Sequence, residues 1–186
     1  MNPFRRDANP HTLVVGMTGV KLGDRLAQVG CAHGGRLAAV ARQVGLSGQA
    51  VAIVPDDVSA ARARKGAAQA GVLVEVEVAP PTRLPLADAG FDLVILDETD
   101  GLLAALAPDE AGATIREALR ALRPGGRLMV IAAGRPEGLS ALFARKRSGP
   151  AFDSSAALPA NGFRSVRTLA EREGLVFVEG IKPRTA

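Results

Sequence analysis

Short apolar runs alternate with longer amphipathic stretches along most of the chain. A glycine, a proline or a charged residue follows each run within two residues, which is typical of strands buried on both faces of a sheet. These runs predict strands at residues 25–29, 50–54, 72–78, 91–96 and 127–132. The stretches between them predict helices at residues 34–44, 58–70 and 109–122.

The order of these elements predicts the fold class. Strands that alternate with helices pair in parallel, and their helices cover both faces of the sheet. We therefore expect an α/β protein with a single Rossmann-like doubly wound sheet, mostly parallel. Two β-compatible runs, Phe163–Ala170 and Leu175–Ile181, then predict a C-terminal antiparallel β-hairpin. A helix over 164–173 is the rival interpretation, because Arg-Thr-Leu-Ala-Glu-Arg-Glu has high helix propensity.

The remaining segments have less regular patterns. Residues 1–20 are predicted to form an N-terminal arm, followed by one domain over 21–186. Within the arm, residues 11–17 suit either a short helix or an extended segment. Further predictions are a helical turn at 102–106, a helix at 136–147 and a loop at 148–160.

The bulk composition limits the class of protein. With 47% hydrophobic residues in 186, the chain can bury a core, yet no apolar run approaches the roughly 20 residues of a membrane helix. A net charge of +4 spread along the chain, with 3% aromatic residues, argues against nucleic-acid binding. Cys31 is the only cysteine, which excludes an internal disulfide and a cysteine-based zinc cluster. We expect a cytoplasmic protein that binds neither nucleic acid nor membrane.

One stretch, Arg25 to Gly35, joins a strand, a glycine turn and a helix start. Backbone N–H groups at such a junction can face a nucleotide-like ligand. Gly30, Gly34 and Gly35 suit the turn, because glycine adopts positive φ at little cost and lets a ligand approach the backbone. Two interpretations stay open: these glycines cradle a ligand, or they only permit the turn.

Three side chains are candidates for chemistry. His33, at the tip of the turn, can act as a general base or contact a cofactor carboxylate, or it can cap the following helix. Asp97 ends the fourth predicted strand, where α/β sheets bind ligands, and can accept a proton from a substrate. Alternatively, Asp97, Glu98 and Asp100 cap the next helix and face water. Cys31 is interpreted as a packing residue, because no histidine partner is evident for it.

Four motifs follow one another in a characteristic order. They are Gln28-Val-Gly-Cys-Ala-His-Gly34, Leu84-Pro-Leu86 with Phe91-Asp-Leu-Val94, Ala118-Leu-Arg-Ala-Leu-Arg-Pro-Gly-Gly126, and Asn161-Gly-Phe163 before the two β runs. Together they resemble the class I S-adenosylmethionine-dependent methyltransferases, especially the methyltransferase type 11-like family, over roughly residues 20–182. In that family such motifs form the cofactor loop, the approaches to the fourth and fifth strands, and the closing hairpin.

The resemblance implies S-adenosyl-L-methionine as cofactor and a small molecule as methyl acceptor. The cofactor-binding residues that it implies are Gln28, Gly30, Cys31, Ala32, His33, Gly34, Asp56, Asp57 and Asp97. It implies no dedicated catalytic residue, because methyl transfer depends chiefly on positioning. Asp97 and His33 are the candidates if such a residue exists.

The chain departs from the family pattern at residues that usually hold the cofactor. Gln28 stands where the loop has an acid, Ala32 replaces the middle glycine, and Pro55 and Pro80 take the places of the ribose and adenine acids. Charge-assisted hydrogen bonds contribute about 1.5–3 kcal/mol each, so three losses can weaken binding by about 10³-fold. A degenerate, non-catalytic binding or scaffolding module is therefore the alternative function. A dinucleotide-binding protein is a third, which the glycine spacing disfavours.

Overall fold

The computed structural model describes residues 10–134 and 152–184. The helices are α1 Thr12–Thr18, α2 Gly34–Val44, α3 Asp57–Ala70, α4 Pro108–Ala121 and α5 Ser154–Ala160. The strands are β1 Arg25–Val29, β2 Gln49–Val54, β3 Glu75–Val78, β4 Phe91–Glu98, β5 Leu122–Ala133, β6 Arg164–Arg172 and β7 Leu175–Ile181. Over these two described ranges, no helix is both long and apolar enough to cross a membrane.

All these strands join one seven-stranded sheet with the order β3-β2-β1-β4-β5-β7-β6. The first five strands pair in parallel, whereas β7 lies antiparallel to both β5 and β6. The predicted mostly parallel sheet with a C-terminal hairpin is therefore confirmed. Strands β2 and β3 are added on one side of β1, and β4 and the strands after it on the other side. The strand order therefore reverses between β1 and β4, which is where open α/β sheets form a ligand crevice.

Helices cover both faces of the sheet, as the doubly wound prediction requires. On one face, α1 and α2 pack over buried Leu26, Ile95 and Phe177. On the other face, α4 and α5 pack over a core that includes Leu96 and Phe163. Helix α3 lies beside α2 and covers the carboxyl half of β2. Strands β1, β2 and β4 are thus buried on both sides, which explains their continuous apolar runs, whereas the edge strands β3 and β6 are largely exposed.

The chain forms the hairpin of β6 and β7 rather than the rival helix over 164–173 for two reasons, one local and one long-range. Glu173 and Gly174 both have positive φ, +54° and +71°, which suits a two-residue hairpin turn and cannot continue a helix. Phe177 on β7 is fully buried against the sheet. Because β7 pairs with β5 along its whole length, β6 then has a strand to pair with.

Some predicted boundaries were wrong. Residues 154–160, predicted as a loop, form α5, because Asp153 accepts the Ala156 N–H and caps an alanine-rich turn. Strand β3 begins at Glu75 rather than residue 72, and β5 begins at Leu122 rather than 127. The open choice at 11–17 resolves as helix α1. The helix predicted at 136–147 lies outside the described residues, as do residues 1–9.

Candidate cofactor site

The glycine turn after β1 is held from beneath by backbone and side-chain bonds. Gly30 has φ +81°, a conformation that favours glycine, and its N–H donates to the Ile53 carbonyl at 2.8 Å. Gln28 is 2% exposed, and its Nε2 donates to the Gly30 carbonyl at 3.0 Å. The residue that stands for the usual acid therefore braces the turn from inside the protein.

Asp97 ties the turn to the end of β4. Its Oδ2 accepts the Ala32 N–H at 2.9 Å, and its Oδ1 pairs with the Arg36 guanidinium at 3.2 Å. Thr99 donates to Oδ1 through both its N–H and its hydroxyl. A carboxylate has about four acceptor sites, so these bonds occupy Asp97 almost completely. This geometry gives Asp97 a positioning role, and its role as a general base stays a prediction.

His33 caps helix α2. Its Nδ1 accepts the Arg36 N–H at 3.3 Å, which is the capping alternative raised from the sequence. The His11 ring lies edge-on to it, with centroids 5.0 Å apart. Burial, followed by the neighbouring His33 and Arg36, lowers the pKa of His11 below its usual range. The start of α1 and the start of α2 are therefore in contact beside the turn.

Helices α2 and α3 are in backbone contact at two glycines. A Cβ on Gly34 would lie 2.3 Å from the Arg62 carbonyl oxygen, and one on Gly66 would lie 2.3 Å from the Gly34 carbonyl group. No side chain fits there, because real Cβ atoms do not approach other heavy atoms within 3.0 Å. Gly34 is thus required for helix packing, which brings α3 over the turn.

Arg62 reaches from α3 to the turn. Its Nη1 donates to the Cys31 carbonyl at 2.6 Å and lies 3.6 Å from a carboxylate oxygen of Asp100. Burial, followed by the neighbouring Asp97, raises the pKa of the Cys31 thiol to about 11. A thiol that stays protonated is a poor nucleophile, in agreement with the interpretation of Cys31 as a packing residue.

A cavity of about 470 Å³ lies at the carboxyl ends of β1, β2 and β4. Of the nine predicted cofactor residues, those in its wall are Gly30, Cys31, Ala32, Asp56 and Asp97. Those outside its wall are Gln28, His33, Gly34 and Asp57. The volume falls in the range of about 300–1,000 Å³ that is usual for small-molecule and cofactor sites.

The two neighbouring acids after β2 have different positions. Asp56 lines the cavity while its Oδ1 caps α3 by accepting the Ser59 N–H at 2.7 Å. That hydrogen bond holds the pKa of Asp56 below its usual range. Asp57 lies in the first turn of α3, where the helix dipole favours negative charge. Asp56 is thus the member of this pair that lines the cavity.

The far wall of the cavity is apolar and is fixed by Glu98. This buried carboxylate accepts the N–H groups of Leu103 and Ala104, which holds the helical turn at 101–106. Leu102 and Leu106 of that turn line the cavity. Val58 lines it from the opposite side and is 71% exposed. Apolar groups on both sides suit a flat aromatic ligand group.

The larger depressions on the surface are poorer candidates. One of about 710 Å³ lies at the amino ends of β2 and β3, next to exposed Leu46 and Leu73. Another of the same volume adjoins the 79–90 loop, where Arg120 is held by Glu117 and Asp88. Ligands of open α/β sheets bind at the carboxyl ends of the strands where the strand order reverses, here β1 and β4, which favours the cavity at the glycine turn.

Two arginines of this site were not among the residues predicted from the sequence. Arg36 lies in the first turn of α2, where the helix dipole disfavours a cation, and that misplacement is a sign that it has a buried partner. Arg62 stands among Ala60, Ala61 and Ala63 on a helix with a small-residue face. The spacing between Arg62 and Gly66 does not predict the contact of Arg62 with Cys31, because that contact depends on how α2 and α3 pack.

The sheet order, the antiparallel hairpin and the position of the cavity define the class I methyltransferase fold. A model of the methyltransferase domain family matches residues 27–126. The chain belongs to this methyltransferase domain family.

Two curated relatives are small-molecule methyltransferases by name. The 27-O-demethylrifamycin SV methyltransferase of Amycolatopsis mediterranei is 30% identical over 176 residues, covering 93% of this chain and 59% of that protein. The ubiquinone/menaquinone biosynthesis C-methyltransferase UbiE of Pseudomonas putida is 33% identical over 122 residues, covering 64% of this chain and 46% of that protein. The chain thus spans about half the length of the curated relatives it matches.

Solved structures agree on the fold. A SAM-dependent methyltransferase from Aquifex aeolicus superposes with a TM-score of 0.71 at 22% identity, covering 97% of this chain and 93% of that chain. At this identity the likeness establishes the fold and nothing further.

Proposed function

We propose that this domain binds S-adenosyl-L-methionine in the 470 Å³ cavity and transfers its methyl group to a small-molecule acceptor. The observation that carries the proposal is the position of that cavity. It combines the glycine turn, a carboxylate next to β2 and an apolar wall at the point where the sheet reverses its strand order. The names of the relatives support a small-molecule acceptor.

The charges in the cavity wall fit this cofactor. Among the described residues, the charged members of its wall are the acids Asp56, Asp97 and Asp100 and the base Arg62, and Arg36 outside the wall pairs with Asp97. S-adenosylmethionine carries a sulfonium, an ammonium and a carboxylate, so it is a net cation. An excess of carboxylates around a cationic ligand is electrostatic complementarity, which favours binding and orientation.

Individual residues have distinct tasks in this proposal. Asp56 accepts hydrogen bonds from the ribose hydroxyls with the carboxylate oxygen that does not cap α3. Leu102, Leu106 and Val58 enclose the adenine ring. Asp97 and Gln28 hold the turn in place from behind. When bound, the cofactor supplies an electrophilic methyl group, which a nucleophilic atom of the acceptor takes as the sulfur keeps the bonding electron pair and the acceptor gives up a proton.

A pair of adjacent substitutions tests the site. Asp56→Asn keeps the cap of α3, because asparagine caps helices as well as aspartate does, but it removes a charge from the cavity. Asp57→Asn removes a charge at the next residue, outside the cavity. We expect calorimetric titration to give a severalfold weaker affinity for S-adenosylmethionine in the Asp56 variant and wild-type affinity in the Asp57 variant.

Two results would contradict the proposal. Equal affinities in both variants would show that Asp56 does not face the cofactor. The absence of any binding heat to millimolar cofactor, with folded wild-type protein, would favour the non-catalytic binding or scaffolding module instead. With binding established, release of S-adenosylhomocysteine in the presence of candidate hydroxyl or enol acceptors tests methyl transfer itself.

A further inference from the structure

Arg62 is fixed over the glycine turn by the packing of its own backbone. Its carbonyl oxygen occupies the space that a side chain on Gly34 would need, and Gly66 makes the next contact one turn later in α3. The position of the Arg62 Cα therefore depends on backbone contacts rather than on a flexible loop. Its side chain leaves this fixed point and enters the cavity wall.

The present contacts of Arg62 use one edge of its guanidinium group. Nη1 holds the Cys31 carbonyl and is the atom nearest to Asp100. A guanidinium has five N–H donors, and Nε with Nη2 forms a second edge suited to a carboxylate. The Arg62 and Asp100 side chains are 39% and 66% exposed, so their ion pair is weak and readily gives way to a ligand.

The other arginine near the turn is not available to a ligand in the cavity in the way that Arg62 is. Arg36 pairs with Asp97, its side chain is 14% exposed, and it is absent from the described residues that line the cavity. Arg62 is thus the one basic side chain among those lining residues, which also include three acids. The cofactor likewise offers one anionic group, the carboxylate of its methionine part.

We propose that Arg62 binds this carboxylate and so makes the site selective for cofactors that carry it. The proposal rests on the proposed function and adds a specificity-determining residue to it. The Nε and Nη2 edge receives the carboxylate, while Nη1 stays on the Cys31 carbonyl and keeps the side chain in place. Asp100 then serves to hold Arg62 in position when the cofactor is absent.

A ligand-by-variant cycle tests this assignment. The ligands are S-adenosylmethionine and its decarboxylated form, which keeps the sulfonium, the ammonium and the adenosine. Arg62→Met is expected to lower the affinity for S-adenosylmethionine by about 10- to 100-fold, the usual effect of losing a charge-assisted hydrogen bond. The affinity for the decarboxylated form is expected to stay within about threefold of the wild-type value. Arg62→Lys keeps the positive charge but lacks the paired N–H donors of a guanidinium group. Its affinity for S-adenosylmethionine is expected to lie between those of the wild type and the methionine variant.

The control variant is Arg64→Met, because Arg64 lies on the same helix but bonds to the Val76 carbonyl outside the cavity. It is expected to bind both ligands as wild type does. If the Arg62 variants lost the same affinity for both ligands, Arg62 would have only a structural role and the inference would be overturned. Unchanged affinity for both ligands would overturn it as well. A wild-type protein that binds neither ligand would instead contradict the proposed function itself.

Discussion

Replacing Asp97 with alanine is expected to lower the free energy of unfolding by about 3–5 kcal/mol, the usual cost of removing one partner from a buried ion pair. The side chains of Asp97 and Arg36 are 1% and 14% exposed, so the arginine would lose its counter-ion at a site where water compensates it only in part. The Ala32 N–H and the Thr99 hydroxyl would lose their acceptor as well. Urea denaturation followed by circular dichroism measures the change.

Asp100→Ala is the matched control for that substitution. Asp100 also pairs with an arginine, but the pair is largely exposed, so the expected loss is about 0–1 kcal/mol. A similar, small loss in both variants would mean that the Asp97 network does not hold the end of β4 to the glycine turn.

Gly34→Ala is expected to destabilise the protein by about 3 kcal/mol, at the upper end for overpacking, although alanine is the better helix former. The new methyl group would lie 2.3 Å from the Arg62 carbonyl oxygen, and two helix backbones cannot repack as side chains can. Separation of α2 from α3 would also displace Arg62 from the cavity. Thermal and urea unfolding report the loss of stability.

The control is Gly16→Ala, the same change inside α1. Among the described residues, no atom beyond its chain neighbours and its own helix backbone lies within 4 Å of a Cβ at Gly16, so alanine there is expected to stabilise the protein by about 0.5–1 kcal/mol. If Gly34→Ala were as stable as Gly16→Ala, the backbone contact between α2 and α3 would not be the reason for the glycine.

The pattern of apolar runs was sufficient to predict the parallel part of the fold. Strand β1 and helix α2 match their predicted bounds because a glycine follows each of them and stops the pattern. The C-terminal hairpin was predicted from two β-compatible runs, although residues 164–173 also suit a helix, and it is confirmed as β6 and β7. Helix α5 was missed, because one capping bond from Asp153 outweighs a composition typical of loops.

The candidate site was predictable in its location but not in its contacts. The glycine turn and the end of β4 were both identified from the sequence, whereas the bonds that join Asp97 to Ala32 and Arg36 span 61 or more residues. Such pairings depend on strand order and helix packing. The sequence likewise could not distinguish Asp56 from its neighbour Asp57. The two differ in their positions at the start of α3, where Asp56 is the N-cap and Asp57 lies in the first turn.

Binding of S-adenosylmethionine at the glycine turn is best tested by mapping amide chemical-shift changes in labelled protein as the cofactor is added. Cofactor binding in the cavity predicts saturable shifts at Gly30–Ala32, Asp56 and Gly101–Leu106, the segments that line it at the carboxyl ends of the strands. Shifts confined to the depression beside Leu46 and Leu73, or no shifts up to millimolar cofactor, would contradict it.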